Sequence, residues 1–130
     1  MAVESGWKWD ESFVAGADLS AKQFYAVKGN GTTEDSSVSC DSQGEDSIGV
    51  LQNNPASGKD ATVRLLGWTK AVAGSANSGV IAAWAQVTVA ADGRFEVAAS
   101  GDKVIGVAVS ASAAENQVFT LWLRPEPAVV

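Results

Sequence analysis

Gly44-Glu45-Asp46-Ser47-Ile48-Gly49-Val50 and Gly101-Asp102-Lys103-Val104-Ile105-Gly106-Val107 are one phrase written twice, 57 residues apart. Each opens on a glycine and an acidic residue, as a turn does, and runs into a short apolar strand with a glycine inside it. A strand glycine has no side chain, so a neighbouring backbone can approach closely there. Each phrase is followed by a polar turn region and then a second apolar run, residues 61–66 and 118–123. Two strand–turn–strand elements therefore predict a small β-structure with an internal pseudo-repeat.

The rest of the chain agrees with this reading. Residues 22–28 form a strand pattern that Gly29-Asn30-Gly31 breaks, and Val38 and Cys40 mark a fragment inside an acidic stretch. Asn53-Asn54-Pro55 with Ser57-Gly58 is a turn. From residue 61 to 68 apolar and polar positions alternate, with Ala61, Val63 and Leu65 on one face. Residues 71–79 read as a small-residue loop. Gln86-Val87-Thr88-Val89 and Arg94-Phe95-Glu96-Val97 flank an Asp92-Gly93 reversal and predict a hairpin, with Val87, Val89, Phe95 and Val97 inward and Thr88 outward. The final strand places Phe119, Leu121 and Leu123 on one face and Val118, Thr120 and Trp122 on the other. Being apolar on both, it is expected to be covered on both. Pro125 and Pro127 are expected to end its pairing. The best helical candidate is only residues 110–116. The predicted class is all-β, a small barrel or sandwich.

Composition narrows the function. The chain has 130 residues, 46% of them hydrophobic and only 18% charged, with a net charge of −6 and no His. Much of the apolar content is Ala and Val, which implies a thin core of small side chains. The basic residues are scattered singly, which argues against nucleic acid and anionic membrane as partners. Glu4, Lys8, Asp10 and Glu11 interrupt any signal-peptide pattern, so the chain is expected to be soluble and not Sec-exported. Its single Cys40 forms no intrachain disulfide and reads as a small buried residue.

No catalytic constellation is visible. Without His there is no Ser-His-Asp triad, no Cys-His pair and no imidazole metal site. The pairs Glu34-Asp35 and Glu45-Asp46 read as solvated surface, and Asp41, Glu45 and Asp46 do not match the spacing of a calcium loop. The expectation is a protein with no catalytic residue, no cofactor and no metal. Five tryptophans are the remaining signal, because Trp is the side chain most enriched at interface hot spots. Trp68, Trp84 and Trp122 suit a core of small residues. Trp7, Trp9 and Phe13 lie in a segment that has no core of its own.

The run Ile48-Gly49-Val50-Leu51-Gln52-Asn53-Asn54-Pro55, then Gly58, then a strand ending Gly67-Trp68-Thr69-Lys70, resembles the tailed-phage capsid cement (head decoration) family. The Asp92-Gly93 hairpin, the Gly101 to Ala108 phrase and the last apolar strand follow in the family's order. The resemblance implies a small β-tulip or barrel-like domain on the outside of a phage head. It implies a homotrimer that reinforces contacts between major capsid protein subunits, with no enzymatic activity. On this reading residues 1–20 are an extended N-terminal arm, 21–124 the decoration domain and 125–130 a C-terminal tail. Trp7, Trp9 and Phe13 are the expected arm anchors and Trp122 a subunit contact. An arm that pairs with another chain is expected to be removable without unfolding the body. The rival reading is a carbohydrate- or cell-surface-binding β-module that stacks sugars on exposed Trp.

Overall fold

A computed structural model describes residues 8–127 and residue 129. Eleven strands follow one another: β1 (Trp9–Ala15), β2 (Ala26–Gly29), β3 (Ser36–Ser39), β4 (Gly49–Leu51), β5 (Asp60–Val72), β6 (Val80–Ile81), β7 (Gln86–Val89), β8 (Phe95–Val97), β9 (Val104–Ala108), β10 (Ser112–Ala113) and β11 (Val118–Glu126). A single 3-10 turn, Ala76–Gly79, is the only helical element among the described residues. The fold is all-β, as the turn and strand pattern predicts.

The twice-written phrase is the visible part of a full internal duplication. In the first unit β1, β3, β2, β4 and the leading half of β5 pair in a closed ring. In the second unit the trailing half of β5, β8, β7, β9 and β11 repeat that order. The registers correspond residue by residue. Phe13 faces Ala61 and Val14 faces Asp60; Ala71 faces Phe119 and Val72 faces Val118. Val27 faces Gly49 and Val87 faces Gly106. Leu51 faces Val63 and Ala108 faces Leu121. The rare parallel contact recurs too: Ala15 beside Ser37, and Ala73 beside Phe95.

Each ring has its own interior. Ala15, Leu19, Val27, Leu51, Ala61 and Val63 fill the first, with half-buried Phe13 and Leu65 against them. Ala73, Val87, Ala108, Phe119, Leu121 and Leu123 occupy the corresponding places in the second. There the pair Leu51–Ala61 becomes Ala108–Phe119, a size exchange that keeps the shared volume filled. Phe119 meets Phe95 edge to face, with centroids 6.4 Å apart. Ala26, Cys40 and Val50, on the outside of the first ring, belong to the second ring's cluster and weld the two together.

The inner glycines of the two phrases do the same work. A Cβ on Gly49 would strike the Arg64 carbonyl oxygen, and one on Gly106 the Trp122 carbonyl oxygen. Arg64 and Trp122 hold equivalent register positions, opposite Val50 and Val107.

Several expectations are corrected. Residues 9–15 are not a free arm: β1 pairs with β5 and β3 and closes the first ring. Removing it would take Ala15 out of the first core and leave β3 and the leading half of β5 without their partner, so it cannot be dispensed with as an arm could. The strand expected over 22–28 begins only at Ala26, because Lys22 to Tyr25 is a tight turn with Phe24 at φ 67°. β5 runs on through Val72, well past the expected alternation. The expected helix at 110–116 is instead β10 and a turn, since the Ser112 hydroxyl donates to the Gly79 carbonyl and holds the segment on β6. In the hairpin, Thr88 is buried and Val97 exposed at the end of the short β8. β11 continues to Glu126 through an irregularity after Leu123, so Pro125 does not end it. Its outer face carries exposed Val118 and half-buried Trp122, so it is covered on one face only.

Gly49→Ala and Gly106→Ala should each lower stability by about 2 kcal/mol, because backbone strands must separate to admit a methyl group. Urea unfolding followed by tryptophan fluorescence measures both, and unchanged midpoints would show that the close approach is not required.

Candidate protein-interaction surface

Four tryptophans lie among the described residues, and the register brings three of them to the middle of β5. Trp9 faces Leu66, and Trp68 faces Trp122 across the β5–β11 ladder. Trp9 is 46% exposed, and its indole N–H donates to the Glu11 carboxylate at 3.1 Å. Trp68 and Trp122 are half-buried. The Arg124 guanidinium lies over the Trp122 ring, 4.4 Å from its centroid, and its Nε donates to the Glu126 carboxylate at 2.8 Å. That stacking covers indole surface with a cation held in place from the far side.

The expected anchors therefore separate. Trp9 and Trp122 are at the surface where the rings join. Phe13 packs inward against the first core. Trp7 lies outside the described residues. Trp84, read from sequence as a core filler, is the most exposed large apolar side chain described, at 63%. Its phrase Ala82-Ala83-Trp84-Ala85 takes the same turn as Lys22-Gln23-Phe24-Tyr25, where Phe24 is half-buried against the core.

One ion pair fixes β1. Arg64, buried on β5, donates through Nε and Nη2 to the two Asp10 oxygens at 2.7 and 3.0 Å, and through Nη1 to the Trp68 carbonyl. Hydrogen bonding from Arg64 holds the Asp10 carboxyl below its ordinary range, against the opposing effect of burial.

The remaining charged clusters close loops. Lys28 pairs with Asp41 and Glu45, and the second Glu45 oxygen accepts the backbone N–H of Asp41 and Ser42. Those carboxylates face an ammonium group and amides, an environment that serves a loop clamp and repels a cation. No group of three metal-ligating side chains occurs among the described residues. Arg94 ties Asp92 to Glu115 and Asn116, and the Asp92 and Glu115 carboxylates raise its pKa. Burial pushes the Cys40 thiol up to about 12. At neutral pH it is a protonated, inert core group.

A family model for phage cement proteins matches residues 8–124, which takes in both rings. The chain belongs to the phage cement protein family. Among solved structures, this cement protein is similar to the head fiber gp8.5 N base of bacteriophage phi29, with a TM-score of 0.69 at 18% identity. The match covers 91% of this chain and 95% of the other, so the likeness extends over the whole fold. No curated protein matches the cement chain in sequence.

Asp10→Asn should cost about 1–2 kcal/mol, because it leaves a buried guanidinium short of its counter-charge. The carboxylate's contribution is full above the unfolded-chain value near 4 and is lost as pH falls through the lower folded value. Wild-type stability should therefore drop below about pH 4 by more than the variant's. Parallel acid titrations of the two proteins would show otherwise if Asp10 were merely a surface charge.

Proposed function

We propose that this protein binds the outer surface of an assembled phage head and stabilises the contacts between major capsid protein subunits. Membership of the cement family across both rings carries the reading. The architecture supports it: two fused rings make a stiff body, and large apolar side chains such as Trp9 and Trp84 stay exposed on it although the interior is filled. Such a body acts by contact. It stabilises a shell by binding the assembled lattice in preference to free subunits. We propose further that it works as a homotrimer, because linked copies gain from simultaneous attachment at neighbouring sites.

Trp9 and Trp122 are the proposed contacts at the ring junction, with Trp7 two residues before Trp9 in sequence. Phe13 has a different role, inside the first core. Purified heads lacking the protein test this directly. Added wild-type chain should co-sediment with them and raise their disassembly temperature. Trp9→Ala and Trp122→Ala should each weaken binding by roughly tenfold or more, the cost of truncating an interface hot spot. Light scattering should give three times the 13.3 kDa chain mass. Failure of the wild-type chain to bind heads, with binding to sugars in its place, would move the assignment to a glycan-recognition module.

A further inference from the structure

The duplication supplies an internal control for surface residues. A side chain needed to fold the ring appears in both units, whereas one needed for something else appears in only one. Charge divides the units sharply. Residues 9–66 hold nine Asp or Glu against four Lys or Arg, while residues 67–124 hold four of each. The first unit exposes Trp9 at the ring junction, Val14 and Ile48, and the second exposes four large apolar side chains. Val80, Trp84, Val97 and Val118 are 43%, 63%, 44% and 49% exposed. The first unit places Phe24, Ser39 and Asp60 at the positions equivalent to Trp84, Val97 and Val118. The Val72–Val118 pair and the Val14–Asp60 pair share one register, so an aspartate folds where the valine stands.

The four residues sit on connected segments. Val80 faces Ala113, the Trp84 N–H donates to the Ala108 carbonyl, and the Val109 N–H to the Thr120 carbonyl beyond Val118. Ala98, next to Val97, donates to the Gln86 carbonyl, two residues after Trp84. Trp84 has φ 69° at the third position of a tight turn, a place that usually takes glycine. Phe24 sits in the same conformation at φ 67°, but there the Lys70 ammonium lies over the ring at 5.8 Å.

We infer that the second unit is the docking unit, and that Val80, Trp84, Val97 and Val118 seat on an apolar, uncharged stretch of the shell's outer protein surface, leaving the first unit's acidic loops, beyond the ring junction that carries Trp9, to face solvent. Charge matching selects this occupant. A unit balanced in charge with bare valines meets an uncharged surface without stranding an ion, whereas the first unit would bury its excess carboxylates. The inference rests on the head-binding reading above.

The test combines the counterpart exchanges Val97→Ser and Val118→Asp with Val80→Ser in one variant, and makes Trp84→Ala separately. The reverse variant, Ser39→Val with Asp60→Val, is the control. Far-UV circular dichroism and urea midpoints verify folding. The triple variant and Trp84→Ala should each bind undecorated heads at least tenfold more weakly, and the reverse variant should bind as wild type. Wild-type affinity should change less than threefold between 50 and 500 mM NaCl. Folded triple variant that decorates heads normally would overturn the inference while leaving head binding intact. So would a fall in the solution mass of the triple variant with head binding retained, which would make the surface a contact between copies of this chain. Absence of wild-type binding would instead remove the head-binding reading itself.

Discussion

β5 belongs to two rings at once, and the rest of the structure follows from that. Its leading half closes the first ring against β1 and β4, and its trailing half closes the second against β11 and, through Ala73, β8. A single strand that walls both rings must change direction between them. The change falls where the β1 pairing slips by one residue, between Arg64 and Leu66, and at Gly67, whose φ of 101° suits a residue without a Cβ. The junction is therefore also where side chains fan outward, which is why Trp68, Trp122 and Trp9 collect around it.

Sharing a strand makes the rings one cooperative body. The first interior is small: its six fully buried residues include two alanines and two valines. A ring of that size buries too little apolar surface to stand alone. It gains from the second ring on its outer side, where Ala26, Val50 and Cys40 pack into the larger cluster. Backbone bonds cross the same seam, from the Ala26 N–H to the Gly93 carbonyl and from the Gly44 N–H to the Val89 carbonyl. β1 completes this arrangement. Its Asp10 neutralises Arg64, the one guanidinium that β5 carries into the junction.

The strands with clean alternation were legible in the sequence, as was the Asp92-Gly93 hairpin. The inner glycines were legible too, because a close backbone approach tolerates no other residue. The duplication was legible only where that constraint applies. Elsewhere the two units share geometry without sharing letters: Asp35 and Gly93 both adopt positive φ, as do Gly58 and Asn116, and Phe24 and Trp84. Pairing of β1 with β5 was not legible, because Trp9 to Val14 alternates as well for a partner chain as for its own. Of the anchor residues, the position of Phe13 in the core depended on that pairing. The Trp68–Trp122 pair depended on a register that strand patterns alone leave open.

Aromatic residues at Phe24 and Trp84 make the surface argument independent of composition. A bulky side chain at positive φ costs of order 1–3 kcal/mol, and glycine would relieve it. Folding therefore gains nothing from retaining an aromatic ring there. In the first unit the cost is offset by partial burial against the core cluster and by the Lys70 ammonium. In the second unit the indole stands in water with no ring or ion-pair partner of its own among the described residues. A strained, exposed tryptophan on an otherwise saturated barrel contributes only when something else covers it.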